Sequence, residues 1–343
     1  MDIPLLPGDG VGPELAAAAR TCIDAVNGVA KTGIALIEYP IGYSAYTTTG
    51  HALPEATLAA VRHAPATLLA AISTTQCPPP SPMGQLRKQL ALFADVRRCV
   101  SGPGSLRCGV DVVMFRECSE GFLADRNMHL GAGEFMPTPD VALSVRVVTR
   151  DKSDRIARLA FEYARDHGRR KVTVAHKKVV FALGCGLFLD SVREQARGFP
   201  ELVVEQELVD SLAANLVAHP ERYDMVLTTN LFGDILADVA AAQVGAPTVP
   251  IVNANDDISV FCPTHDAFDA IAGQQRINPL PMLHTVRAML TWLSLDQAAL
   301  VLGRAVAACA DAALQQSWIL PQSMTTQDVT GAVVRSIAAS HKN

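Results

Sequence analysis

Short apolar runs alternate along the chain with longer amphipathic stretches. The opening MDIPLLPGDG sets an apolar run before a glycine turn. GVGPELAAAARTCIDAV follows, where Pro13 suits a first helical turn and Leu15, Cys22, Ile23 and Val26 share one face. The pattern predicts strand, loop and helix in that order. The same grammar returns in VDVVMF around 111–115, VTVAH at 172–176 and DMVLTT at 224–229, each a β-rich run followed by a loop or a helical pattern. Strands alternating with helices predict an α/β fold with covered sheets. CPPPSPMG at 77–84 and GAPTVPIVNANDD at 245–257 break the rhythm and are candidate domain edges or active-site loops.

Composition narrows the picture. A chain of 343 residues that is 49% hydrophobic and 18% charged can bury a large core and divide into two domains, which excludes a disordered or fibrous protein. A formal charge of -5 gives no general attraction to phosphate backbones or anionic lipid, so neither nucleic acid nor a membrane is expected as a partner. The eight cysteines form no C-x-x-C pair, which argues against a zinc ribbon or a disulfide framework. With no signal-like N-terminus and no apolar run long enough to span a bilayer, the expected location is cytoplasmic, with reduced thiols.

Candidate chemistry concentrates in NLFGDILAD at 230–238. Asp234 and Asp238 are four residues apart and share a helical face, where two like charges cost stability unless a cation joins them. A solvated acidic face is the plain alternative, but it does not explain the Leu, Phe, Ile, Val and Ala around the pair. Carboxylate oxygens favour a hard ion, Mg²⁺ or Mn²⁺. Arg116 ends an apolar strand, and Arg87 and Arg97 flank the apolar run Leu90 to Phe93. Guanidinium groups in such surroundings want a planar anion.

The stretch from Asp210 to Asp238, DSLAANLVAHPERYDMVLTTNLFGDILAD, resembles the metal-binding segment of the β-decarboxylating dehydrogenases, the isocitrate/isopropylmalate dehydrogenase family. LPGDGVGPE at 6–14 is similar to that family's opening signature, and the resemblance runs through nearly the whole chain. It implies a two-domain α/β fold with the active-site cleft between domains: a large cofactor-binding domain from 1–95 plus 245–343, and a small central domain, 96–244, carrying the dimer contact and the metal site. It implies Asp210, Asp234 and Asp238 as metal carboxylates, with Asp210 reaching across a homodimer into its partner's site. Arg87, Arg97 and Arg116 become the clamp for a small anionic substrate, with Ser81 beside them. Lys177 becomes the group that takes the hydroxyl proton. A lysine near a cation and arginines gives up its proton more readily than a solvated one. FCPTHDAFDAIAGQQRINP at 261–279 resembles the stretch that cradles the adenosine half of the cofactor, with His265 and Asn278 as contacts.

Departures from the family pattern limit the substrate. Met83 stands where an asparagine accompanies the serine, Val179 where an asparagine follows the lysine, and Leu123 where a tyrosine protonates the enolate. Asp125 and His129 are the nearby side chains that could replace that tyrosine. Ala270 takes the place of the acidic residue that accepts from the ribose, with Asp266 and Asp269 close by, while the lysine and tyrosine of NADP-linked members are absent and only Arg276 could replace them. The expectation is therefore NAD-linked, metal-dependent oxidation of a malate-type acid, with or without loss of CO₂. The alternatives are non-decarboxylating oxidation of a polyanionic alcohol and a non-catalytic regulatory subunit.

Overall fold

The computed structural model describes every residue except 74, 75, 78, 79, 123–132, 310 and 341–343. Among the described residues there are twelve strands: β1 Asp2–Gly8, β2 Ala35–Glu38, β3 Thr67–Ala71, β4 Ala94–Val100, β5 Asp111–Glu117, β6 Glu134–Thr138, β7 Val141–Ser144, β8 Lys171–His176, β9 Val203–Leu208, β10 Met225–Thr228, β11 Ile251–Ala254 and β12 Ser259–Cys262. The helices are α1 Gly12–Ala30, α2 Tyr43–Thr49, α3 Glu55–Arg62, α4 Pro82–Gln89, α5 Arg150–Asp166, α6 Ala182–Ala196, α7 Val209–Ala218, α8 Asn230–Val244, α9 Leu280–Trp292, α10 Asp296–Cys309, α11 Ala312–Gln315 and α12 Thr326–Ser340.

Ten strands make one sheet in the order β2-β1-β3-β12-β11-β4-β5-β10-β8-β9. The first five in that order come from residues 2–71 and 251–262, and the other five from 94–228. Most neighbours are parallel, and the inner strands β3, β10 and β12 are buried throughout while the edge strands β2 and β9 are largely exposed. Within this sheet the antiparallel pairs among the described residues are β4 with β5, β4 with β11, and β11 with β12. The strand β11 falls inside a stretch expected to be a loop. Its four residues sit between a proline and an Asn-Asp turn, and burial against both neighbours overrides that weak local preference. The hairpin β6–β7 stands apart from the sheet with every strand residue exposed.

The opening signature works as a knot between elements. Gly8 and Gly10 have φ of 75° and 55°, and a Cβ there would fall 1.7 Å from the Ala71 carbonyl oxygen and 2.0 Å from that of Ala267. Only glycine lets these backbones approach so closely. Between them, buried Asp9 accepts hydrogen bonds from the amides of Tyr43, Ser44 and Ser73 at 3.0, 2.9 and 3.0 Å, tying β1 to α2 and to the end of β3. The cysteines are all free thiols. Among the described residues no helix is long and apolar enough to cross a membrane.

Candidate active site

Strand register builds the charged centre. Asp95 and Arg97 lie two apart on β4 and so share a face, and Asp95 stands directly opposite Arg116 of β5. All three side chains are therefore delivered to one side of the sheet. Arg97 holds Asp95 with two bonds, Nε to Oδ1 at 3.1 Å and Nη2 to Oδ2 at 3.2 Å, and Arg116 Nη1 donates to Oδ2 at 3.2 Å. Arg87, at the end of α4, approaches the same oxygen at 3.7 Å and donates through Nε and Nη2 to Asn253 Oδ1 at 2.8 and 2.6 Å. Burial alone would raise the Asp95 pKa, but the guanidinium charges of Arg97, then Arg116 and Arg87, hold it below the usual carboxylate range.

Helix α8 lies on this face because Gly233 lets it: a Cβ there would sit 2.7 Å from both Cβ and Cγ of Arg116. The close approach carries Asp234 to Arg116, with which it forms an ion pair, and within 3.4 Å of Arg97. Asp238, one turn on, accepts from Arg97 Nη1 at 2.6 Å. The side chains of Asp234 and Asp238 are nevertheless 46% and 73% exposed, so their outer faces meet solvent while the arginines behind them are buried. Arg116 Nε and Nη2 both donate to Asn230, the first residue of α8.

The third aspartate stands elsewhere in the chain. Asp210, in the first turn of α7, accepts from Lys177 Nζ at 2.6 Å. Among the described residues no group of three His, Cys, Asp or Glu side chains could hold a metal within one chain. Within one chain, the partner of the Lys177 ammonium is this carboxylate. Lys177 nonetheless follows the C-terminal end of β8, and the ends of β5 and β10 that carry Arg116 and Asn230 lie along that same parallel edge. Open α/β sheets bind ligands at such an edge. Arg146 completes this rim, donating to Thr229 Oγ1 at 3.1 Å with its guanidinium centred 5.0 and 5.6 Å from the Phe181 and Phe232 rings.

Ser81 is the N-cap of α4, accepting from the Gly84 amide at 3.1 Å, which leaves its hydroxyl proton free to point outward. At the other end of α4, a cavity of about 170 Å³ is lined by Arg87, Lys88, Ala91, Ser119 and Lys152. Nearby, burial and the charge of Glu117 push the Glu120 carboxyl up to about 7 against the opposing bonds from Thr149.

The cofactor loop has a different texture. His265 packs edge-to-face with Phe268 and Trp318, both ring nitrogens are sheltered from solvent without a well-formed hydrogen bond, and burial, opposed by a weak contact with the Asn278 backbone, lowers its pKa to about 4. Asn278, the second expected cofactor contact, has its side-chain amide engaged within the chain. It is fully buried, its Nδ2 donating to the carbonyls of Leu314 and Ser317 and its Oδ1 accepting from the Leu280 amide, so its side chain braces the loop. Ala270 is exposed in a short 3₁₀ turn, and Asp269 beside it accepts from Gln76. Glu14 reaches this loop from α1 and accepts from the Gly273 amide.

The expectation that the arginine forks await a planar anion is half corrected. One such anion is already supplied by Asp95, which the sequence reading passed over together with Asn230, Asn253 and Arg146. A charge at Asp95, inside an apolar strand and two residues before Arg97, was the signal available. Leu123, Asp125 and His129 lie outside the described residues.

Comparison with known proteins establishes the family. The family profile described as isocitrate/isopropylmalate dehydrogenase matches residues 2–338, and the chain belongs to that family. It is 36% identical over 291 residues to a 3-isopropylmalate dehydrogenase of Archaeoglobus fulgidus, covering 84% of this chain and 85% of the other. It is 36% identical over 344 residues to an isocitrate/homoisocitrate dehydrogenase of Thermus thermophilus, covering 97% of each. The crystal structure of isocitrate dehydrogenase from Methylococcus capsulatus superposes with a TM-score of 0.85 at 31% identity over 98% of this chain and 99% of that one.

Proposed function

We propose that the protein is a metal-dependent, NAD-linked dehydrogenase that oxidises the hydroxyl of a malate-type acid and works as a homodimer with shared active sites. The observation that carries this reading is the solvent-facing pair Asp234 and Asp238 backed by the buried Arg97 and Arg116. Two hard oxygen donors one helical turn apart, with a cationic wall behind them, fit Mg²⁺ or Mn²⁺ beside an anionic substrate. Asp210 fits as the third donor, supplied by the second protomer. The sheltered, neutral His265 ring fits the flat apolar face of an adenine.

The bound ion supplies Lewis acidity that eases loss of the hydroxyl proton and steadies the charge left if CO₂ departs, and NAD supplies the hydride acceptor. The chain's own residues do the rest. Arg87, Arg97 and Arg116, with the Ser81 hydroxyl, hold the carboxylates of the substrate and fix its orientation. Lys177 takes the hydroxyl proton as hydride leaves the same carbon, and it comes to the site from the same protomer as Asp210, which holds the lysine in position. Alcohol and NAD⁺ thus become ketone, NADH and one proton.

The two-lobed division at about residues 95 and 245 belongs to this reading, supported by the segregation of strands from the chain ends and from its middle. A second copy is the natural cover for Val179, Val180 and Leu183 near the start of α6 and for Leu231 and Ile235 of α8, all exposed, with Leu183 89% accessible.

One observation favours a second reading, oxidation without decarboxylation. Phe122 packs edge-on to Phe181 with centroids 6.3 Å apart and offers no proton for an enol, and Leu123 after it has none to give. Purified protein with Mg²⁺ or Mn²⁺ and NAD, screened against malate-type acids and phosphorylated alcohols, tests both readings. NADH with CO₂ from a malate-type acid is expected. NADH without CO₂ selects the second reading, and neither product from any substrate points to a non-catalytic subunit.

A further inference from the structure

Three guanidinium groups surround Asp95, whose carboxylate is 1% exposed. Arg97 presents its Nε–Nη2 edge to that carboxylate, the edge with which a guanidinium grips a planar anion bidentately. Its Nη1 donates to Asp238. Arg116 gives Nε and Nη2 to Asn230, and Arg87 gives Nε and Nη2 to Asn253. The Nε–Nη2 edge of each arginine is thus engaged within the chain, which leaves the Nη1 groups, shared with Asp234 and Asp238 in Arg116 and Arg97, as the donors a ligand can reach. Before Asp234 and Asp238 are counted, Asp95 lowers the net charge of the three arginines from three positive to two. A buried carboxylate of the protein already stands where a further carboxylate of a ligand would be neutralised.

We infer that Asp95 is a specificity-determining residue: it fills one anion position of the arginine cradle from within and restricts the enzyme to hydroxy acids with two carboxylates rather than three. This deepens the functional reading above and rests on it for the identity of the site. A third carboxylate on the ligand would meet a cradle already partly neutralised, and would be desolvated without a fork to receive it. The remaining substituent of the substrate is then uncharged. Asp95 touches no substrate itself. It acts by engaging the donors of Arg97 and Arg116, so its removal releases those donors and one unit of positive charge.

The test compares two unreactive ligands, succinate and tricarballylate, binding to the full-length protein with Mg²⁺, by calorimetry and by the shift each gives to the melting temperature. The wild type is expected to bind the dicarboxylate at least as tightly as the tricarboxylate. In Asp95→Asn the tricarballylate-to-succinate affinity ratio should rise by about tenfold or more, because the released guanidinium edge gains a charged partner. A purely structural role would weaken both ligands together and leave the ratio fixed, and an unchanged ratio in the folded variant overturns the inference. If Asp95→Asn does not fold, the wild type decides. Tighter tricarballylate binding there is fatal to the proposal, and the opposite order supports it. Binding with the expected preference, in a protein that oxidises no hydroxy acid, would leave the charge assignment standing while the functional reading fails.

Discussion

Asp95, Arg97 and Arg116 are fixed by the register of two paired strands, and nearly every donor among them meets an acceptor. The loop from Thr264 to Asn278 carries its chemistry otherwise: His265 makes no well-formed hydrogen bond, and Asn278 gives its whole amide to the chain. The difference shows where specificity can reside. A charged network on regular strands cannot shift one member without disturbing the rest, so it suits a task needing fixed geometry, such as holding a metal and anions. A loop that packs a neutral ring among aromatics can tolerate replacement, and it suits the flat, uncharged end of a cofactor.

The comparison is broken most sharply at Asp234. Asp234→Asn should reduce metal-dependent NADH formation by more than about 100-fold, because a direct donor is lost where even outer residues matter tenfold to 100-fold. Its half-exposed side chain makes only a small change in melting temperature the accompanying expectation. Gly233→Ala comes next. Its methyl group would meet Arg116 at 2.7 Å, so α8 must move or the arginine must shift, costing about 1–3 kcal/mol of stability with a parallel loss of turnover. Chemical denaturation and steady-state rates measured together would reveal both.

On the loop, His265→Phe should leave stability unchanged or slightly raised, since it removes two sheltered, unpartnered nitrogens, while KM for NAD rises by no more than about tenfold. A collapse of turnover at saturating NAD would erase the contrast between the two regions.

The smallest effect concerns Glu120. Its folded pKa, raised from 4.5 to about 7, means that the folded protein holds the proton more tightly than the unfolded chain does. Its contribution to stability is therefore full below about pH 4.5 and lost as pH rises through 7. Glu120→Gln should narrow the gap between melting temperatures at pH 5 and pH 8, and an identical gap would contradict the assignment.

What the sequence disclosed follows the same division. The runs at 111–115, 172–176 and 224–229 became β5, β8 and β10 because continuous apolar residues leave few alternatives to a buried strand. The Asp234 and Asp238 spacing on α8 was legible for a similar reason, since helical periodicity alone puts both on one face. The pairing of Asp95 with Arg116 was not, because it depends on the register between β4 and β5, which no local pattern encodes. Neither the bracing role of Asn278 nor the companionship of Lys177 with Asp210 could be read from residue type, since each partner is brought near by the fold.

Titration of the assembled protein with Mn²⁺ in the presence of a malate-type acid, followed by the loss of the free-ion paramagnetic resonance signal, addresses the metal site directly. The account predicts one tightly held ion for each Asp234–Asp238 pair in the wild type and none in Asp234→Asn. Equal binding by the two proteins would contradict it.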